Sequence, residues 1–313
     1  MPKAVSSSLQ VALSKVKELS FLGLYPTKNI AEFPKNKKTF NEDIPYLKDQ
    51  RIRNFYKNFS LSFYNEEEQK KLFQEIVEHY SEPDKTCFFS LEALTSPMFS
   101  EVSPELKLSR LIKCCPNAEF LIIVRNQLGL IESQYRDWPF RLINNQKMGE
   151  PITISEWCQY ELKKGASMSP LKWFDYQLIA SIFLKYDKKL HVLCFENFVS
   201  KDDVFFEELS KILEEGKESL LLGANSVHSN LGISKRYNNL RRLRKKFKIL
   251  KLFSLFIPTI IKNYVLQYIN KGPKEELTIS ESVFEQLKKY FINNNEEFNK
   301  KNNYKLDKKG YWL

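Results

Sequence analysis

Two stretches of the chain combine residue types that bind anions. The first, residues 2–8, reads PKAVSSS, and the apolar spacing of Leu9, Leu13, Val16 and Leu19 predicts a helix beginning within it. Free backbone amides at a helix start favour phosphate, lysine adds a mobile positive charge, and serine hydroxyls add hydrogen-bond donors. The alternative is an ordinary helix capped by serine, with an exposed lysine before it.

The second stretch lies in the middle of the chain. Residues 120–124 (FLIIV) form a continuous apolar run that predicts a buried strand. Arg125 follows this strand, and Asn126 is a suitable cap for a helix over residues 127–138. Ser133 comes seven residues after Asn126 and returns to the same helix face about two turns on. A planar guanidinium can bind phosphate through two parallel hydrogen bonds. The alternative is a solvated arginine at the end of the strand and a serine without a functional role on the helix.

Alternating strands and helices must position these residues. Buried strands are predicted at residues 86–89, 120–124 and 191–195, and helices should open at Ser103-Pro104 and Ser169-Pro170, the latter continuing to Phe183. Strands separated by helices predict an α/β fold in three layers, α/β/α, with a central parallel sheet. Ligands of such sheets bind beyond the carboxyl ends of the strands. Residues 1–313 are interpreted as a single domain whose aromatic end, residues 311–313, docks back on the body.

The two stretches together resemble segments of sulfotransferases that use 3′-phosphoadenosine 5′-phosphosulfate (PAPS), bacterial carbohydrate-type members in particular. Residues 2–8 resemble the family's 5′-phosphosulfate loop, Pro-Lys-(Ser/Thr/Ala)-Gly-(Thr/Ser)-(Thr/Ser), with Val5 at the glycine position. Four residues match the 3′-phosphate segment, Arg-Asn-Pro and then Ser-x-Tyr: Arg125, Asn126, Ser133 and Tyr135. The resemblance implies a P-loop nucleotide-hydrolase-like sulfotransferase fold, here expected to lack its first strand, which would precede the loop.

The resemblance also implies the cofactor and the residues at its sulfate end. PAPS would be the donor, 3′-phosphoadenosine 5′-phosphate (PAP) the product, and no metal is expected. Lys3 would contact the bridging and sulfuryl oxygens, and so serve both binding and catalysis. The serines that follow it would hold the 5′-phosphate: Ser6, Ser7 and Ser8.

The 3′-phosphate end is assigned in the same way. Arg125 and Ser133 would bind the 3′-phosphate. Many family members add a late Arg-Lys-Gly motif, which this sequence does not contain. Arg236, in the corresponding residues 229–236, is the candidate that would complete the cofactor site.

Transfer to a hydroxyl also needs a base near the acceptor. Glu92 follows the strand at residues 86–89, at an end that faces the acceptor in related enzymes, and is the first candidate; a surface or capping carboxylate is the alternative. Glu32 is a second candidate. His79, on a charged helix, and His228, in a polar loop, are weaker candidates, and Glu196 is interpreted as structural.

The net charge and the cysteines limit which binding partners and which cellular compartment are expected. The formal charge of +11 favours anionic partners. The basic and apolar residues 225–275 predict a helical part that faces the acceptor, with residues 241–262 as a peripheral membrane contact; a solvated helical face is the alternative. The acceptor is expected to be a carbohydrate or glycolipid hydroxyl, and not nucleic acid. Five cysteines in apolar surroundings and no apolar run at the start predict a cytoplasmic protein, with contact at the inner membrane surface as an extension of that expectation.

Two other classes of function stay open. One is a P-loop kinase or related nucleotide enzyme, although the sequence contains no Gly-x-x-x-x-Gly-Lys-(Ser/Thr) motif. The other is a non-catalytic relative that uses its basic surface to bind anions, nucleic acid or a membrane.

Overall fold

A computed structural model describes residues 6–25, 41–90, 100–137, 153–163, 169–225, 258, 264–265, 268–269, 276–302, 304, 306 and 310–313. Its four strands are β1 (Leu19–Phe21), β2 (Thr86–Phe88), β3 (Phe120–Val124) and β4 (Leu190–Cys194). The helices before β3 are α1 (Ser6–Leu13), α2 (Pro45–Lys48), α3 (Gln50–Asn58), α4 (Glu66–Tyr80) and α5 (Pro104–Cys114). Those after it are α6 (Gln127–Asp137), α7 (Ile154–Lys163), α8 (Tyr176–Lys185), α9 (Phe195–Ser200), α10 (Asp203–Leu213), α11 (Lys217–Asn225) and α12 (Glu281–Asn302).

The strands form two parallel pairs, as an α/β fold requires. β1 pairs with β2, and β3 pairs with β4 in a register that places Phe120 beside Leu190 and Val124 beside Cys194. Helices connect the partners within each pair, which is the arrangement that parallel strands need. The predicted parallel α/β organisation is therefore confirmed, in the form of two separate two-stranded sheets within the described residues.

Local sequence signals set most of the element boundaries. Ser103 caps α5 by accepting a hydrogen bond from the amide of Leu106, and Pro104 occupies the first helical position, both as predicted. Buried positions of β3 lie at its carboxyl end, where Ile122, Ile123 and Val124 carry the apolar run into the core.

Two helices are shorter than the sequence predicted. α1 ends at Leu13, and Leu19 begins β1 instead of continuing the helix. The helix opening at Ser169 is in fact a short 3-10 helix, Pro170–Phe174, followed by α8. The physical reason is Asp175, whose extended backbone and side-chain cap on the amide of Leu178 end the first helix and start the second.

Two apolar clusters hold the elements together. The larger includes Leu13 of α1, Val124 of β3, Ile179 of α8 and Phe291 of α12. The smaller contains Phe55 of α3, Phe59 at the end of that helix and Ile76 of α4. Partly buried Leu111 and Phe120 contact both clusters, so α5 and β3 join them.

The chain end packs on the body, as its aromatic residues predict. Tyr311 and Trp312 are buried, and the Trp312 ring stacks on Phe291 of α12 with ring centroids 5.5 Å apart. The cysteines also follow expectation: all five thiols are free, four are buried, and Cys87 is partly buried. Among the described helices, none has the length and apolar character that crossing a bilayer requires.

Candidate functional site

Arg125 lies at the carboxyl end of β3, where the sequence placed it. The register that pairs Val124 with Cys194 brings Arg125 beside Phe195, the residue after β4. The guanidinium carbon lies 4.4 Å from the centroid of the Phe195 ring. A guanidinium over an aromatic face is attracted by the ring and keeps its planar edge for other partners. The side chain thus reaches from the end of β3 over the residue that follows β4.

The backbone of Arg125 is held by a buried tyrosine. The amide N–H of Arg125 donates to the Tyr176 hydroxyl oxygen at 3.1 Å, and this hydroxyl in turn donates to the Arg125 carbonyl. Tyr176 is fully buried, and burial raises the pKa of its hydroxyl, which therefore keeps its proton. One side chain on α8 thus fixes both polar backbone groups of the arginine.

Asn126 caps α6, as predicted, and connects it to α9, the helix that follows β4. Its side-chain oxygen accepts from the amide of Gly129 at 2.7 Å. Its backbone N–H and its side-chain amide both donate to Oε1 of Glu196, at 3.0 and 2.8 Å. Glu196 was interpreted as holding the loop after its own strand; in the structure it holds the turn after the neighbouring strand β3.

Gly129 provides the space in which the arginine lies. A Cβ atom at this position would come within 2.8 Å of Oδ1 of Asn126 and 3.0 Å of Nε of Arg125. Real Cβ atoms essentially never approach another atom below 3.0 Å, so a side chain here would displace the helix cap or the guanidinium. Gly129 was not among the predicted site residues, although a glycine inside a helix costs about 1 kcal/mol relative to alanine and therefore indicates a packing reason.

The same face of α6 carries further polar residues. Ser133 lies one turn beyond Gly129 at helical spacing, and Glu132 and Arg136 flank it. Nη2 of Arg136 lies 3.3 Å from Oε2 of Glu132. Arg136 was also overlooked, although it comes three residues after Ser133 and the spacing of the helix places both on one face.

The charges around Arg125 oppose one another. Burial lowers the pKa of Arg125, the carboxylates of Glu196 and Glu132 raise it, and the nearby charge of Arg136 lowers it again. An arginine stays protonated in spite of such shifts. Arg125 and Arg136 thus repel each other, while the carboxylates of Glu196 and Glu132 offset their charge.

Other predicted site residues are placed only in part. α1 begins at Ser6, so Ser6, Ser7 and Ser8 form its first turn, as the anion-site hypothesis requires. The side-chain amide of Gln10 donates to the carbonyl and to Oγ of Ser90, at 3.3 and 3.1 Å, which ties α1 to the carboxyl end of β2.

The remaining candidates divide into two groups. Glu92 comes two residues after Ser90 and lies outside the described residues, as do Lys3, Arg236, Glu32 and His228. His79 is exposed on α4, where its ring packs edge-on against Tyr80. The geometry therefore places Gly129 and Tyr176 against Arg125 and Glu196 against Asn126. Ser133 follows Gly129 by one helical turn on α6, and Arg136 follows Ser133 on the same face.

Comparisons with known proteins add no assignment. No protein-family model, no curated protein and no solved structure matches the chain. In the part of the chain that the structure describes, no group of three or more histidine, cysteine or acidic residues is arranged to hold a metal ion.

Proposed function

We propose that the chain is a PAPS-dependent sulfotransferase that binds the 3′-phosphate of its cofactor at Arg125. The observation that carries the proposal is the fixation of this arginine. Its backbone is held by Tyr176 and its guanidinium lies over the Phe195 ring, at a carboxyl strand end of a parallel pair. This is the place where α/β proteins bind ligands. A preorganised guanidinium beside Ser133 and Arg136 suits a doubly charged phosphate monoester.

The order of elements also supports a sulfotransferase fold. A helix opening with three serines comes first, and the arginine segment follows β3. Within the described residues the strands form two separate parallel pairs. In the proposed three-layer P-loop fold the strand that is expected to be lacking is the central one, and two separate pairs are in keeping with its loss.

The proposed reaction transfers a sulfuryl group from PAPS to a hydroxyl. The acceptor oxygen forms a bond to sulfur, the bond from sulfur to the bridging phosphate oxygen breaks, and PAP leaves. Glu92 would take the acceptor proton, and Lys3 would stabilise the charge that develops on the bridging oxygen. With a loose transition state, positioning and charge stabilisation would supply most of the rate.

The acceptor side of the proposal rests on the family resemblance and on charge. A carbohydrate or glycolipid hydroxyl is the proposed acceptor, and the net charge of +11 suits anionic surroundings. Residues 241–262 would provide a peripheral contact at the inner membrane surface of a cytoplasmic enzyme.

Calorimetry with three nucleotides tests the cofactor. PAP is expected to bind at least about tenfold more tightly than 5′-AMP, because 5′-AMP lacks the 3′-phosphate and its charge-assisted hydrogen bonds. Preference for ATP with magnesium over PAP would favour the kinase alternative. Absence of PAP binding by well-folded protein would contradict the proposal, and steeply salt-dependent RNA binding in its place would favour a nucleic-acid-binding relative.

Replacing Glu132 by glutamine is expected to tighten PAP binding by a factor of about 1.4 to 5. Glu132 pairs with Arg136 and therefore competes with a bound phosphate; a partly exposed pair of this kind is worth about 0.2 to 1 kcal/mol. Calorimetry should include Glu75→Gln as a control, since Glu75 is exposed on α4 and the substitution changes the net charge equally. Equal affinities of the two variants would place Arg136 outside the phosphate site.

A further inference from the structure

The carboxyl end of the chain packs between α12 and the arginine segment. The backbone carbonyl of Trp312 accepts a hydrogen bond from the side-chain amide of Asn295 at 2.8 Å. The oxygen of the same Asn295 amide accepts from Nε2 of Gln127 at 2.7 Å, and Gln127 is the first residue of α6. Asn295 and Gln127 are both fully buried. The tail is thus connected through one asparagine to the start of the helix that follows Arg125.

Tyr311 makes a second and more direct connection. Its hydroxyl donates to Oε2 of Glu196 at 2.9 Å and lies 3.6 Å from Sγ of Cys194. Burial raises the pKa of Tyr311, so the hydroxyl keeps its proton and acts as a donor. The other oxygen of Glu196 accepts both N–H groups of Asn126. Both carboxylate oxygens therefore have a fixed partner.

We propose that Tyr311 is a positioning residue for the anion site: its hydroxyl holds the Glu196 carboxylate in place and so keeps Arg125 available to phosphate. This inference rests on the proposed function, since Arg125 is the proposed ligand of the 3′-phosphate. Burial lowers the pKa of Arg125, and the negative charge of Glu196 is the largest influence that raises it. A carboxylate that lost its Tyr311 partner would turn toward the guanidinium and compete with the bound anion.

This role differs from packing, because it depends on one hydroxyl group. The Tyr311 ring also contacts Tyr176, with centroids 6.4 Å apart, and a phenylalanine would keep that contact. Tyr304 offers a comparison, because its hydroxyl lies 3.4 Å from Sγ of the same Cys194. Tyr304→Phe therefore removes a hydroxyl beside that thiol, and Tyr311→Phe removes the hydroxyl that donates to Glu196.

Calorimetry with PAP on three variants of the full chain tests the inference. Tyr311→Phe is expected to weaken binding about three- to tenfold, and Tyr304→Phe to stay within about twofold of the parent protein. The double variant Tyr311→Phe/Glu196→Gln should recover most of the loss, because a neutral side chain no longer competes for Arg125. Parent-like binding by Tyr311→Phe, or a double variant weaker than Tyr311→Phe, would overturn the proposal.

Hydrogen exchange separates this inference from the proposed function. The amide of Asn126 donates to Glu196, so it should exchange faster in Tyr311→Phe than in Tyr304→Phe, with or without nucleotide. If the parent protein binds no PAP, the sulfotransferase proposal fails, and faster exchange would still show that Tyr311 fixes the Arg125 segment. Equal exchange in the two variants would show that it does not.

Discussion

Replacing Arg125 by alanine is expected to lower the affinity for PAP about 10- to 100-fold. A hydrogen bond between charged groups contributes about 1.5 to 3 kcal/mol, and a fork-shaped guanidinium can make two. Stability should change little, because burial of this charge lowers its pKa and is therefore itself unfavourable. Calorimetry for the affinity and thermal unfolding for the fold measure the two effects separately.

Three further variants identify which property of Arg125 matters. Arg125→Met keeps most of the side-chain length over Phe195 and removes the charge, so it should bind PAP as weakly as Arg125→Ala. Arg125→Lys keeps the charge without the planar fork and should fall between alanine and the parent protein. Lys71→Ala, on the exposed face of α4, removes one positive charge elsewhere and should leave binding unchanged. Parent-like binding by Arg125→Met would exclude Arg125 as a phosphate ligand.

Features set by neighbouring residues were predictable from the sequence. The apolar run of β3 identified a buried strand, and Ser103 and Asn126 identified two helix starts, because capping depends on side chains within three residues of the amides they bind. β1 was missed because three residues are too few to show a period. The break at Asp175 was missed because the apolar spacing continues through it.

The environment of Arg125 depends on residues distant in sequence. Tyr176 lies 51 residues away and Glu196 lies 70 residues beyond Asn126. Nothing in the spacing of these residues shows that they meet, since the contacts arise only when β4 pairs with β3 and α8 packs beside them. The family resemblance selected Arg125 and Ser133 but not the residues that fix the arginine. The structure adds those residues, and the comparisons with known proteins leave the function itself a proposal.

The contact between Tyr176 and Arg125 leads to the largest stability prediction. Tyr176→Phe is expected to lower the free energy of unfolding by about 1 to 3 kcal/mol, because the N–H and the carbonyl of Arg125 both lose their partner in a partly buried place. Ring contacts remain in the variant, including that with Phe298 at 6.1 Å between centroids. Urea unfolding with linear extrapolation measures the change.

A second tyrosine on the same segment provides the control for this prediction. Tyr186 is partly buried against the same core, and its hydroxyl makes no hydrogen bond within the described part of the chain, so Tyr186→Phe should stay within about 0.5 kcal/mol of the parent protein. PAP affinity should fall several-fold in Tyr176→Phe and not in Tyr186→Phe, because only the first loosens the backbone that carries the guanidinium. A Tyr176→Phe protein that loses stability but binds PAP as the parent does would show that the hydroxyl supports the fold alone. Preorganisation of Arg125 would then have to come from Phe195 and Glu196, the other two contacts that hold its segment.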